Sequence, residues 1–160
     1  MTVPGIDRPA ELLRIAVDTM LEPLTILESV RDSSGEIVDF RWLYINEAEA
    51  TLLPRETMIG SCLLALLPEH RGGLFEAYKQ VVDSGEKLVL SEVGYDDTWG
   101  TSETIPMVLN IQAVKVGDGV AVSWTDVTQG VAARHSLAAA LRPTAHGTRQ
   151  SKSVGFGVAA

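Results

Sequence analysis

One cysteine and three histidines are the residues that could carry nucleophilic or metal chemistry in this chain of 160 residues. Cys62 lies in the longest apolar run, Cys62 to Leu67, and no motif links it to a base that would activate the thiol. We interpret it as a small buried hydrophobe. His70, His135 and His146 are scattered and do not have the spacing of a metal site. The sequence predicts neither a nucleophilic thiol nor a bound metal.

Paired carboxylates and glycine-rich loops are the next candidates for chemistry. Glu47 and Glu49 could act as an acid and a base, but they flank a predicted helix start, where negative charge is favoured. We therefore interpret them as helix-dipole residues. Gly117 and Gly119 suit a hairpin turn, and the Gly-Phe-Gly of residues 155–157 has no helix after it. Neither glycine pair predicts a phosphate-binding loop.

Amide and aromatic side chains are the candidates for a ligand pocket. Asn110 and Gln112 alternate on one face of a predicted strand, where they could bind a polar ligand such as a flavin or a purine ring. The other face of that strand, from Met107 to Ala113, is fully apolar, which favours an outward position for the two amides. The aromatic residues are equally explained as core. The complete set of pocket candidates is Trp42, Tyr44, Cys62, Leu66, Tyr78, Asn110, Gln112 and Trp124.

Periodicity and turn residues predict five strands and several helices around these residues. Asn46, with Glu49 three positions later, has the spacing of a capping box at a helix start. Two short helical turns are expected between residues 55 and 67, and a polar loop from Tyr95 to Glu103. The predicted strands are Leu24–Val30, Ile37–Ile45, Leu88–Val93, Ile105–Val116 and Val120–Thr125, and the longer helices are 8–21, Asn46–Pro54, Gly72–Ser84 and Val127–Leu141.

Composition limits the compartment and the class of partner. All 21 acidic residues precede residue 127, whereas four of the 13 basic ones follow residue 126, so the body is acidic. An acidic body argues against a nucleic-acid partner. No apolar run approaches the length of about 20 residues that spans a bilayer, and the first residues lack the pattern of a secretory signal. With one cysteine and no disulfide framework, we expect a cytoplasmic protein without a membrane partner.

An ordered series of short motifs, rather than any single one, resembles the bacterial PAS sensor domains over residues 12–130. The series ends at a Gly-Asp-Gly turn and a strand that runs into Trp124-Thr125-Asp126-Val127-Thr128. The earlier pieces are Glu22-Pro23, Val30-Arg31-Asp32, Gly35-Glu36-Ile37-Val38-Asp39-Phe40-Arg41-Trp42, Tyr44-Ile45-Asn46-Glu47-Ala48, Ile59-Gly60 and Leu66-Leu67-Pro68. The resemblance implies an α+β fold, with a five-stranded antiparallel sheet in the order 2-1-5-4-3, helices on one face and flanking helices at both ends.

The resemblance also implies roles for particular residues. Asn46 would cap the helix after the second strand, Gly60 would permit a turn, and Asp126 to Thr128 would couple the last strand to an output helix. Flavin-photoreactive members carry their cysteine in an Asn-Cys-Arg-Phe-Leu-Gln run; Cys62 lies one residue early and lacks those neighbours, so we expect no covalent flavin switch. Haem-binding members use a histidine of the long helix, whereas we interpret His70, just before that helix, as a surface or capping group.

The sequence therefore predicts a sensory module and not an enzyme. The expected division is a flanking helix at 1–21, a sensor domain at 22–128, an exit helix at 129–141 and a flexible tail at 142–160. The apolar stripes of the flanking helices predict a homodimer. No kinase, cyclase or phosphatase motif follows residue 130, so the chain has lost its effector, has been truncated or acts as a free-standing module. A two-component system is the expected setting. A small α+β enzyme with a cone-shaped pocket, and an interaction domain without a ligand, are the alternatives; flavin, haem and no cofactor all stay open.

Overall fold

Five antiparallel strands form one sheet in the order β2-β1-β5-β4-β3, as predicted, in a computed structural model that describes residues 9–97 and 105–143. The strands are β1 Leu24–Arg31, β2 Ile37–Ile45, β3 Leu88–Asp97, β4 Ile105–Lys115 and β5 Gly119–Asp126. The helices are α1 Pro9–Asp18, α2 Arg55–Met58, α3 Leu63–Leu66, α4 Leu74–Ser84 and α5 Thr128–Ala140, with 3-10 turns at Glu49–Thr51 and Pro68–Gly72. No helix in the described ranges is long and apolar enough to cross a membrane.

The core lies between one face of the sheet and the helices that follow β2. Along β4, Leu109, Ile111 and Ala113 are buried, because successive side chains of a strand point to opposite faces. Phe40 of β2 packs edge-on against Phe75 and Tyr78 of α4, with ring centroids 5.8 and 6.2 Å apart. Such aromatic pairs add roughly 1 kcal/mol each to the gain from burial.

The turn between β4 and β5 is fixed to the first hairpin. A side chain at Gly119 would place its Cβ only 2.0 Å from the carbonyl oxygen of Leu27, so only glycine lets β5 lie this close to β1. In the same turn Asp118 accepts two hydrogen bonds from the Arg31 guanidinium, at 2.7 and 3.1 Å. The two predicted hairpins are therefore held together at one end of the sheet.

Two predicted elements are wrong in their extent. The segment Asn46–Pro54 is a turn and a 3-10 helix instead of an α-helix, because the Glu49 carboxylate bonds elsewhere and does not close the capping box on the Asn46 N–H. Strand β3 continues past Val93 to Asp97: an irregularity between Leu90 and Val93, with Glu92 at φ 55°, breaks the alternation and then lets the pairing resume. The rest of the predicted loop, including Trp99, lies outside the described residues.

The terminal helices pack little against the sheet. Neither α1 nor α5 has a buried residue. Apolar side chains remain exposed on both helices, among them Leu13 at 66% and Leu137 at 61% of full exposure. Residues 144–160, most of the predicted tail, lie outside the described residues.

Candidate functional site

An internal cavity of about 40 Å³ lies between the inner face of the sheet and the helix layer. Most of its wall is apolar and comes from β1, β4, β5 and the segments around α3 and α4. Its volume is enough for a few water molecules or a very small ligand. The polar and aromatic residues that line it are Thr25, Trp42, Glu49, His70, Tyr78, Tyr95 and Trp124.

Glu49 is the buried acid of this cavity, with 2% of its surface exposed. Its Oε2 accepts a hydrogen bond of 3.0 Å from Nε1 of Trp124 on β5. Burial raises the pKa of Glu49 from 4.5 to about 7, and the Trp124 hydrogen bond opposes that rise. No described residue donates a hydrogen bond to the other oxygen, Oε1. Near neutral pH this carboxyl can therefore take up a proton or pair with a cation.

Asn46 holds the backbone that carries Glu49. Its side chain is fully buried and makes four hydrogen bonds. Its Oδ1 accepts from the N–H groups of Leu24 at 2.9 Å and Glu49 at 3.0 Å. Its Nδ2 donates to the carbonyls of Val17 at 3.2 Å and Glu22 at 2.9 Å. One amide thus joins the end of α1, the start of β1 and the turn after β2.

His70 and Tyr95 also line the cavity. The His70 ring is buried and its Nε2 lies 2.7 Å from the Tyr95 hydroxyl. This overturns the interpretation of His70 as a surface or capping group: the 3-10 turn Pro68–Gly72 directs the ring inward, onto β3. Tyr78 lines the same cavity, and burial together with the nearby Glu49 charge raises its pKa, so it stays a neutral phenol.

Trp124 lies two residues before a hydrogen-bonded junction between β5 and α5. The Asp126 carboxylate accepts bonds from the N–H and the hydroxyl of Thr128, at 2.9 and 2.5 Å. The Thr128 hydroxyl in turn accepts a bond of 2.9 Å from the Val108 N–H, and the Val127 N–H donates to the Val108 carbonyl at 2.8 Å. The start of α5 is therefore attached to the first half of β4.

The eight predicted pocket residues divide into two groups. Trp42, Tyr78 and Trp124 line the cavity. The indole N–H of Trp42 is buried and has no acceptor in the described part of the chain, so a water molecule or a ligand oxygen would accept its hydrogen bond. Gly60, predicted as a turn residue, has φ 83° and donates its N–H to the Trp42 carbonyl at 2.9 Å.

The other five candidates lie elsewhere for identifiable reasons. Tyr44 donates its hydroxyl to Asp18 at 2.7 Å, beside α1. Cys62 is half-buried in a bridge to Arg41, and Leu66 packs against the core without lining the cavity. Gln112 is exposed on the outer face of β4. Asn110, on the same face, accepts a bond of 2.8 Å from the Glu92 N–H at the irregularity in β3.

Sequence reasoning missed four polar residues of the cavity. Glu49 was assigned to a helix dipole, and His70 to the surface. Thr25 and Tyr95 were not singled out at all. Their burial follows from partners distant in the chain, such as Trp124, which is 75 positions after Glu49. No local pattern signals such a contact. Within the described ranges, no group of three or more His, Cys, Asp or Glu side chains could hold a metal ion.

Similarity to known proteins comes from structure and not from sequence. No family model matches the chain, and neither does any curated protein. An RNA-binding light-oxygen-voltage receptor aligns over 88% of this chain and 40% of its own length, at 15% identity and a TM-score of 0.54. A domain of a sensory box sensor histidine kinase/response regulator from Geobacter sulfurreducens aligns over 72% of this chain and 90% of its own, at 14% identity and a TM-score of 0.50.

The PAS domain of nitrogen regulation protein NR(II) from Vibrio parahaemolyticus aligns over 72% of this chain and 97% of its own, at 16% identity and a TM-score of 0.49. The chain thus spans less than half of the light-oxygen-voltage receptor and most of the two shorter domains. At these identities the similarity concerns the fold. With its sheet order and its helices, the chain has the fold of the PAS sensor domains.

Proposed function

We propose that this chain is a sensory module that binds a small molecule in the cavity and transmits its occupancy through β5 to α5. The observation that carries the proposal is the hydrogen bond from Trp124 to the buried Glu49 carboxylate. It connects the only acidic side chain that the described residues contribute to the cavity wall to the strand that leads into the Asp126–Thr128 junction.

The energy available at this contact suits a signal. A hydrogen bond to a charged group contributes about 1.5–3 kcal/mol, and one between neutral groups about 1 kcal/mol. Protonation of Glu49, or a ligand that pairs with it, therefore changes the strength of the hydrogen bond that Trp124 donates. The hydrogen bonds of Asp126 and Thr128 begin two residues after Trp124. A shift of β5 therefore changes the stability of the first turn of α5.

The dimensions of the cavity favour a small colourless ligand over flavin or haem. Sites for drug-sized molecules have volumes of about 300–1,000 Å³, and this cavity has about 40 Å³. The Nε2 of His70, the atom a haem iron would need, faces the Tyr95 hydroxyl. An absorption spectrum of the purified protein tests this directly: we expect no visible bands, and flavin or haem bands would contradict the assignment.

Backbone hydrogen exchange of α5 tests the transmission. We expect the protection of residues 128–140 to differ between pH 5.5 and pH 8.5, on either side of the Glu49 pKa of about 7, after correction for intrinsic rates. Trp124→Phe removes the donor to Glu49 and should abolish the difference. Trp42→Phe, which changes another tryptophan of the same cavity, is the matched control and should keep it. Equal behaviour of the two variants would rule out the Trp124 route.

We further propose that the module is a homodimer through its terminal helices, with residues 22–128 as the sensor. Support comes from the exposed apolar side chains of α1, including Leu12 and Leu13, which no described element covers. Light scattering of the chain with and without residues 1–21 tests this. We expect loss of the dimer on truncation, and a monomer in both cases would remove the claim.

The receiver that we propose is an effector domain or a separate cytoplasmic partner protein, contacted by α5, and neither nucleic acid nor a membrane. A small enzyme is the second candidate, because Glu49, His70 and Tyr78 place acid–base groups around one cavity. The same volume of about 40 Å³ restricts a substrate to a few heavy atoms, which is why we place the sensory role first. Turnover that is lost in Glu49→Gln would reverse that order.

A further inference from the structure

We propose that the cavity ligand is a small alkylammonium ion, with the Glu49 carboxylate as its counter-ion. This inference rests on the proposed function, since it assigns the chemical class of the ligand. Among the described residues, Glu49 is the one acid of the cavity wall, and no lysine or arginine lines that wall. A carboxylate that is buried with one neutral hydrogen bond needs a proton or a cation.

The aromatic residues around Glu49 have the composition of a cation-binding cage. Trp42, Tyr78 and Trp124 line the same small space. The faces of indole and phenol rings attract cations, and indole does so most strongly. Leu63 and Leu67 offer an apolar wall to an alkyl group. A water molecule beside the ion would accept a hydrogen bond from the Trp42 N–H.

The volume of the cavity limits the alkyl group. About 40 Å³ is well below the 150 Å³ or so of an engineered cavity that binds benzene. Methylammonium and isopropylammonium are therefore the appropriate range. Larger cations would have to displace the core residues of the wall.

An acidic depression on the surface leads toward the cavity. This depression, of about 290 Å³, shares His70, Leu74 and Tyr95 with the cavity wall. It also includes the exposed residues Glu69 and Asp96, and no lysine or arginine from residues 9–97 or 105–143 lines it. A negatively charged concave surface raises the local concentration of cations. The route for the ligand thus passes the His70–Tyr95 hydrogen bond.

The test uses matched cationic and neutral probes of the full-length chain at pH 8.5 and constant ionic strength. Isopropylammonium and isopropanol have the same number of heavy atoms and differ in charge. Tryptophan fluorescence in a Trp99→Phe background reports binding, because the other two tryptophans line the cavity. We expect saturable binding of isopropylammonium and methylammonium, and binding of isopropanol that is weaker by about tenfold or more.

Glu49→Gln keeps the shape of the side chain and an oxygen for the Trp124 N–H but removes the charge. We expect it to weaken isopropylammonium binding by about tenfold or more. Glu56→Gln, an equal charge change at an exposed residue of α2, should leave the affinity unchanged. Circular dichroism of both variants establishes that they are folded.

The pH dependence separates Glu49 from the other titratable groups. His70, Tyr78 and Tyr95 face the same cavity, and Glu69 and Asp96 face the outer depression. Affinity for isopropylammonium should fall as pH decreases through about 7, where the Glu49 carboxyl is protonated. In Glu49→Gln the profile should be flat, whereas a profile set by His70 would persist in that variant and would contradict the proposal.

Two results would overturn the ammonium assignment and leave the sensory function standing. One is equal binding of isopropanol and isopropylammonium. The other is the absence of any probe binding while α5 protection still responds to pH through Trp124. If α5 protection is also insensitive to pH, the proposed function fails as well.

Discussion

Asn46 and Glu49 are three residues apart in one turn, and both are buried polar groups, yet their surroundings are opposite. The Asn46 amide makes four hydrogen bonds to the backbone of three different segments. The Glu49 carboxyl accepts one, from Trp124, and no described residue donates to its other oxygen. The hydrogen-bonding groups of the Asn46 side chain are all satisfied, and we call this region saturated. Those of the Glu49 carboxyl are not, and we call this region incomplete.

The difference separates a structural polar group from a functional one. A buried group with all its hydrogen bonds has nothing to gain from a ligand or a proton, so it fixes one conformation. A buried acid with one hydrogen bond has a raised pKa and changes state when pH or a ligand changes. Asn46 therefore holds the turn in place so that Glu49 can respond. Each region can be tested by a substitution that should not affect the other.

The largest expected effect is on stability, at Asn46. Asn46→Ala leaves the N–H groups of Leu24 and Glu49 and the carbonyl of Glu22 without their partner, and we expect a loss of about 3 kcal/mol in the free energy of unfolding. Asn110→Ala is the matched control, because that side chain is exposed and accepts one bond, from the Glu92 N–H. Urea denaturation measures both variants, and similar losses at the two sites would contradict a special structural role for Asn46.

Glu49 should affect stability in a pH-dependent way. Its pKa is raised in the folded state, from 4.5 to about 7, so the folded protein binds more protons than the unfolded one between these values. Wild-type stability should therefore decrease by about 3 kcal/mol as pH rises through this window, and stay level above it. In Glu49→Gln this decrease disappears. Urea denaturation at pH 4.5, 6, 7 and 8.5 measures it, and Glu56→Gln should follow the wild-type profile.

If the pH profile of Glu49→Gln matched that of the wild type, Glu49 would be ionised at no energetic cost. The contrast with Asn46 would then lose its basis, because both residues would be adequately solvated or paired. The ligand proposal would also fail, because it assumes that the buried Glu49 carboxylate needs a counter-ion.

The sequence predicts the saturated parts of this molecule better than the incomplete ones. The strands were predictable from alternation, as in β4, and from turn residues such as Gly119 and Asp118, because these signals are local. The sheet order was implied by the resemblance to PAS domains and not by these signals. Asn46 was also identified, since the spacing to Glu49 marks a capped turn, although the turn is a 3-10 helix and not the predicted α-helix.

The incomplete region depends on contacts that no local signal records. Glu49 becomes buried because Trp124 arrives from the other end of the chain, and His70 because Tyr95 lies opposite it on β3. Glu49 and His70 would show the same local sequence pattern if they lay on exposed helices. Asn110 and Gln112 show the converse: two amides typical of a binding site lie on the exposed face of β4.

The junction of β5 and α5 should give a smaller and local effect. Asp126→Ala removes the acceptor for the Thr128 N–H and hydroxyl, and the loss of such hydrogen bonds costs about 1 kcal/mol. We expect faster hydrogen exchange in the first turn of α5 and an unchanged rate in β1 and β2. Asp126→Asn keeps an acceptor and serves as the control. Global destabilisation by Asp126→Ala would mean that the junction belongs to the core.

The smallest effect is expected where a contact is close but exposed. The Arg134 guanidinium of α5 pairs with the Glu92 carboxylate of β3, and both side chains are largely exposed. Because water screens such a pair, Arg134→Ala should change the free energy of unfolding by about 0.5 kcal/mol or less. A double-mutant cycle with Glu92→Ala measures the coupling. A coupling as large as the loss in Asn46→Ala would show that α5 is fixed to the sheet by charge, and burial would then not be what distinguishes the strong polar contacts of this fold from the weak ones.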